Sequence, residues 1–86
     1  MRLIFSKSYI KDYNKVPKPL QKAIKKQLEF LLTNPWHPSL GTKKIKGFKG
    51  IFEGRVSKSC RFTFCINGDC LTLRRIGDHD KTLKKP

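Results

Sequence analysis

The stretch CRFTFCINGDCLTLRRI, Cys60 to Ile76, decides how the rest of the chain is read. Two runs that alternate apolar and polar residues, CRFTFCI and CLTLRRI, flank Asn67-Gly68. Asn-Gly between such runs is the strongest short-range signal of a two-residue β-hairpin. Taking Asn67-Gly68 as that loop sets Ile66 opposite Asp69. Counting back places Cys65 opposite Cys70, Phe64 opposite Leu71, Thr63 opposite Thr72, Phe62 opposite Leu73 and Arg61 opposite Arg74. Successive side chains of a strand point to opposite faces. Phe62, Phe64, Leu71 and Leu73 therefore share the face that a core must cover, and Arg61, Thr63, Thr72 and Arg74 share the other.

Upstream, IFEGRV reads as a third strand, joined to the hairpin by the tight connection SKS, Ser57 to Ser59. Setting Val56 opposite Cys60 puts Phe52 and Val56 on the core face and Arg55 opposite Arg61. Arg55, Arg61 and Arg74 then form a row across three strands on a helix-free face. Like charges directly opposed cost up to ~1 kcal/mol per pair, so folding alone does not call for such a row. It suits binding of a phosphate, which arginine grips with paired donors. The competing readings are neutralisation by Glu53 and the aspartates near His79, or a register slipped by one residue.

Before the sheet, RLIF (Arg2 to Phe5) reads as a short strand. SKSYIKDYNKV changes to helical spacing, with Ser6 as N-cap and Tyr9, Tyr13 and Val16 on one side. PKPLQKAIKKQLEFLLTNP is the clearest helix. Leu20, Ala23, Ile24, Gln27, Leu28 and Leu31 follow its period, the opposite face is lysine-rich, Pro17 and Pro19 suit its start and Asn34-Pro35 its stop. The loop WHPSLGTKKIKGFKG delivers Lys43, Lys44, Lys46 and Lys49; in it Trp36 reads as a lid on the helix end and His37 as a weak catalytic candidate. The expected architecture is α+β: an N-terminal strand, a two-helix hairpin, then a three-stranded antiparallel meander, forming one domain over residues 1–86.

The charge balance narrows the partners. With 20 Lys+Arg against 6 Asp+Glu, the chain carries +14. That self-repulsion is relieved by a polyanion, with nucleic acid first, an acidic protein second and an anionic membrane third. No run of eighteen apolar residues occurs, and MRLIFSKSYIKDY lacks the apolar core and cleavage site of a signal peptide. The lysine-rich helix face lacks the aromatic anchors of an interfacial helix. Cys60, Cys65 and Cys70 do not form a CxxC pair, and neither histidine stands at a zinc-ligand spacing from them, so no metal and no cofactor is expected. An odd cysteine count fits reduced thiols in the cytoplasm, although Cys65 and Cys70, if opposed, could be oxidised together.

The chain then ends its strand pattern with RRIGDHDKTL, Arg74 to Leu83. Groups just past a strand end commonly carry function. Asp78 and Asp80 flank His79 and can raise its pKa or fix its tautomer. A histidine near several arginines fits phosphodiester cleavage by an RNA 2′-hydroxyl, which needs a proton acceptor, a proton donor for the leaving oxygen, and cations for the charge gathering at phosphorus. A single histidine in a charged loop is also compatible with no catalytic role.

Taken together, MRLIFSKSYIKDY, the helical hairpin, KKIKGFKGIFEGRVSKSCRFTF and LRRIGDHDKTL resemble the RelE/ParE superfamily of bacterial toxins, nearest to its YafQ- and YoeB-like mRNA interferases. The resemblance spans almost the whole chain; its specific parts are the basic loop, the CRFTF strand and the IGDHD ending. It implies the RelE-like α+β fold and metal-independent cleavage of mRNA on the ribosome by 2′-OH attack. It also implies an acidic cognate antitoxin that covers the basic face. By the same resemblance, Arg61 falls on the sheet arginine that contacts the scissile phosphate and His79 on the C-terminal acid or base. Lys43, Lys44 and Lys46 fall in the basic segment that touches rRNA or mRNA. The segment TKKIKG carries no glutamate where YoeB-like members have a base, only His37, poorly aligned, stands near the further loop and strand histidines of YafQ-like members, and Leu83 stands where many members carry an aromatic. Asp78, Asp80 or a lysine of depressed pKa remain candidates for the base. A gyrase-poisoning ParE-like protein and a non-catalytic RNA-binding module are the other readings.

Overall fold

The computed structural model describes all 86 residues. Strand β1 (Arg2–Phe5) leads into helix α1 (Lys7–Tyr13) and helix α2 (Lys18–Thr33). A 3-10 turn (Pro38–Leu40) follows, then β2 (Lys43–Lys44), β3 (Phe52–Arg55), β4 (Cys60–Asn67), β5 (Cys70–Asp78) and helix α3 (His79–Lys84). The five strands form one sheet in the order β1-β5-β4-β3-β2. β2 to β5 pair antiparallel, and β1 lies parallel to β5. The meander expected over β3 to β5 is therefore the middle of a wider sheet, flanked by a parallel strand and a two-residue edge strand.

Local chemistry explains the helices. Ser6 caps α1 by accepting from Tyr9 N at 3.1 Å. Pro17 stands at the N-cap of α2, whose first residues have no helical N–H partner to lose. One stripe of α2 supplies Ile24 and Leu31, both wholly buried, with Leu20 and Leu28 packed beside them. These meet Tyr9 from α1 and Phe62, Phe64, Leu71, Leu73 and Ile76 from the hairpin. Each such side chain contributes on the order of 1.5–3 kcal/mol of burial free energy. β3 fits under this core only because position 54 is glycine: a Cβ there would lie 2.2 Å from the Phe62 ring, which faces it across the strands.

The hairpin keeps its expected faces but not its expected register. Asn67 pairs with Cys70, so the loop is Gly68-Asp69 rather than Asn67-Gly68. Gly68 has φ +58° and no non-glycine residue has positive φ, the pattern of a turn with glycine at its first central position. Phe64 accordingly faces Leu73, two residues from its expected partner, and a shift of two preserves which face each side chain takes. Cys65 faces Thr72, not Cys70, so the two thiols are not directly opposed.

A further register shift falls between Thr63 and Phe64, where Thr63 pairs with Arg75 and Arg74 is the extra residue. This bulge lets Leu73 and Ile76, three apart, both enter the core. It also breaks the arginine row. Arg55 faces Arg61 as expected, but Gly77 faces Arg61 on the other side. Arg74 is turned to Pro86, its Nε 3.1 Å from the main-chain oxygen. Nor is the face opposite α2 helix-free. Thr63 Oγ1 also donates to Pro86 O at 3.1 Å, so the segment after β5 lies across the sheet, and its first six residues are helical rather than a loop.

Candidate functional site

The first residues of β4 and the last of β5 meet at one end of the sheet. Cys60 pairs with Asp78 and Arg61 with Gly77, and His79 N donates to Ser59 O at 2.7 Å. That pairing carries Arg61 and His79, eighteen positions apart, to the wall of a single open pocket with Lys58, Ser59, Asp78 and Asp80. Lys58 and Ser59 were not singled out as site residues; the register that set Arg55 opposite Arg61 already placed their turn beside this arginine.

Within the pocket the roles divide. Asp78 caps α3, its carboxylate accepting from Asp80 N at 3.0 Å. Asp80 stands 3.2 Å from His79 Nδ1. A neutral imidazole that keeps its proton on Nδ1, toward Asp80, leaves the Nε2 lone pair free to accept a proton from a substrate. His79 is 44% exposed, so that nitrogen is within reach of a ligand.

Arg61 is more constrained than a simple phosphate ligand. Its Nη1 donates to the carbonyls of Ser57, Lys58 and Cys60, the last two at 3.1 and 3.2 Å, and its Nε lies 3.8 Å from Glu53. The guanidinium thus ties down the turn that lines the pocket. Glu53, buried on the same face, sets a negative charge against it, so one part of the neutralisation reading holds. Arg55, facing Arg61 across the strands, makes no side-chain hydrogen bond or ion pair and is exposed.

The other basic residues lie elsewhere. Lys43 and Lys44 form the exposed edge strand, with Lys43 facing Glu53, and Lys46 and Lys49 stand exposed on the loop that follows. None of these lysines lines the His79 pocket. Arg74 borders a different hollow with Ser6, Ser8, Thr72 and Lys85. Its neighbour Arg75 is held by α1: Nε and Nη2 reach Asp12 at 2.7 and 3.2 Å, which raises its pKa further and clamps α1 to β5. His37 stacks on Phe30 with ring centroids 4.2 Å apart and accepts from Ser39 N, so it caps the 3-10 turn. Trp36 covers Phe52 edge-on rather than the helix end. Burial pushes the Cys60 thiol up, which keeps it a neutral packing group. No group of three His, Cys, Asp or Glu side chains gathers at a metal-ligand spacing, and no helix is long and apolar enough to cross a membrane.

Comparison with known proteins gives the fold its relatives. The chain is 33% identical over 78 residues to the toxin RelE3 of Methanocaldococcus jannaschii, a match covering 88% of each. Its structure superposes on the RelB-RelE antitoxin-toxin complex from Methanococcus jannaschii with a TM-score of 0.78 and 28% identity, covering 96% of this chain and 99% of that one. The YoeB/ParE toxin from Agrobacterium tumefaciens gives a TM-score of 0.80 at 19% identity, covering 92% and 99%, a likeness of fold alone. No family model matches the chain.

Proposed function

The chain belongs to the RelE/ParE toxin superfamily, and from that premise we propose that it is the toxin of a toxin–antitoxin pair that cuts mRNA on the ribosome. The observation that carries this reading is the meeting of His79, Asp80, Arg61 and Lys58 at one pocket on a +14 chain.

In the proposed reaction a base takes the proton of the RNA 2′-OH and O2′ attacks the adjacent phosphorus. The bond to O5′ breaks and O5′ takes up a proton, leaving a 2′,3′-cyclic phosphate and a 5′-hydroxyl. His79 Nε2 is suited to one of the two proton transfers, with Asp80 holding the ring from behind. Arg55 and Lys58 are the cations with donors to spare for the phosphoryl oxygens, while Arg61 fixes the turn that presents Lys58 and adds its own charge. The second proton transfer falls to another group at this corner, for which Asp78 is poorly placed because its carboxylate is taken up in capping α3. Lys43, Lys44, Lys46 and Lys49 supply salt-sensitive attraction to the RNA backbone. An acidic antitoxin is the natural partner for the same surface, as the RelB-RelE relative is itself a complex.

Primer extension on cellular mRNA after brief induction, wild type beside His79→Ala, tests this directly. Discrete cuts within translated codons that fall by about 10²–10⁴-fold in the variant are expected. Cuts of equal strength in both proteins would remove His79 from the chemistry. Growth arrest without any cleavage would overturn the nuclease and point to gyrase.

A further inference from the structure

Phe48 sits at the tip of the β2–β3 loop, in the sequence Lys46-Gly-Phe48-Lys49. It is 40% exposed. Every other Phe, Tyr and Trp of the chain has an aromatic ring partner: Phe5, Tyr9 and Tyr13 in series, Phe30 on His37, and Trp36, Phe52, Phe64 and Phe62 in a second series. Phe48 alone has none, and it is not among the residues packed on the core.

Its position is nevertheless set. Ile45, buried, anchors the loop by donating to Ile51 O at 2.9 Å. The main chain of Phe48 is held on both sides, its N–H donating to Ile45 O at 3.2 Å and its carbonyl accepting from Ile51 N at 3.4 Å. A ring that fills no core is thus presented on a tied loop between two exposed lysines, one turn beyond the exposed pair Lys43-Lys44.

We propose that Phe48 is a stacking platform for an unpaired RNA base, with Lys46 and Lys49 holding the phosphates on either side. Single-stranded nucleic acids are bound by this combination of cations and exposed aromatic faces. A protein partner fits less well, because the centre of a protein interface is depleted of charge whereas lysine flanks this ring on both sides. The proposal rests on RNA being the ligand, as in the reading above, but not on cleavage. The base has two possible sources, the message and the ribosomal RNA.

The test measures binding to ribosomes programmed with an mRNA that is 2′-O-methylated around the A-site codon, so that attack by a 2′-OH cannot occur and binding is read without cleavage. Phe48→Leu should weaken binding about tenfold, and Phe48→Trp should restore it. Both variants should unfold in urea as the wild type does. Repeating the measurement with abasic sugars in the A-site codon assigns the source. A loss that disappears on the abasic message identifies an mRNA base; a loss that persists, still rescued by tryptophan, identifies an rRNA base. Wild-type affinity in Phe48→Leu, or an equal loss in the leucine and tryptophan variants, overturns the proposal. Loss of cleavage in His79→Ala with this binding pattern intact would leave both readings standing; an intact pattern without cleavage by wild type would remove only the nuclease.

Discussion

The two faces of the sheet obey different rules. The face under α2 is closed by Phe62, Phe64, Leu71, Leu73 and Ile76, and its fit is tight enough that Gly54 has no room for a methyl group. The opposite face carries Arg55, Arg61, Thr63 and the buried Glu53, and is crossed by the segment that ends at Pro86. On the first face these five side chains are buried and serve packing. On the second, Arg55 and Arg61 stand directly opposite one another, an arrangement that folding alone does not call for. On that second face Arg61 has two parts: it lines the pocket and secures the turn beside it.

Substitutions can break that contrast. Phe62→Ala should cost about 3–5 kcal/mol in urea unfolding, the usual loss for a buried phenylalanine. Gly54→Ala should cost about 1–3 kcal/mol by overpacking, and less when combined with Phe62→Leu, since the two sites touch. Additive losses would show that the strands part instead of sharing this contact. Arg61→Ala should cost about 1–3 kcal/mol by taking the side-chain donor from the Ser57 and Lys58 carbonyls and the counter-charge from the buried Glu53, in addition to any loss of cleavage. If stability were untouched, the hydrogen bonds to Ser57 and Lys58 and the pairing with Glu53 would be dispensable to folding.

Two smaller effects sharpen the comparison. The inner face holds one unsatisfied polar atom, the Tyr9 hydroxyl, and burial raises its pKa above the ordinary 10.0. The folded state therefore favours the neutral phenol. That contribution is fully present below pH 10.0 and declines above it as the unfolded chain gives up the proton first, by about 1.4 kcal/mol per pH unit. Tyr9→Phe should be neutral or up to about 1 kcal/mol more stable at pH 7, and should lose less stability than wild type between roughly pH 10 and 11. An identical alkaline decline in both proteins would mean that the phenol reaches water. The smallest change in stability belongs to His79→Ala, within about 0.5 kcal/mol, because the ring is half-exposed. A larger loss would make the histidine part of the fold and weaken its assignment to chemistry.

How far the sequence could be followed depended on how local the cause was. The Ser6 cap, the proline start of α2 and its apolar stripe were legible because each depends on neighbours within a few positions. The hairpin faces were legible too, since a register error of two residues leaves the alternation unchanged. The turn was misplaced because Asn-Gly admits two positions for the loop, and the structure uses glycine first. The bulge had a signal, the three-residue spacing of Leu73 and Ile76, but strict alternation conceals it. At the candidate site, His79 was legible as a group just past a strand end and Arg61 through the register that opposes it to Arg55, whereas the bulge carries Arg74 out of that row.

By itself, then, the sequence determined the α+β order of elements, the buried face of the hairpin, and a net charge of +14 that favours an anionic partner. Those properties follow from composition and from periods of 2.0 and 3.6 residues, which act along the chain. Tertiary structure alone decided that β1 joins the sheet in parallel, that the last residues cross the second face, and that Arg61 spends its donors on the Ser57–Cys60 turn. It also left Phe48 without a partner. These outcomes depend on which distant groups compete for the same hydrogen-bonding edge or the same space, and that competition is settled only when the whole chain packs.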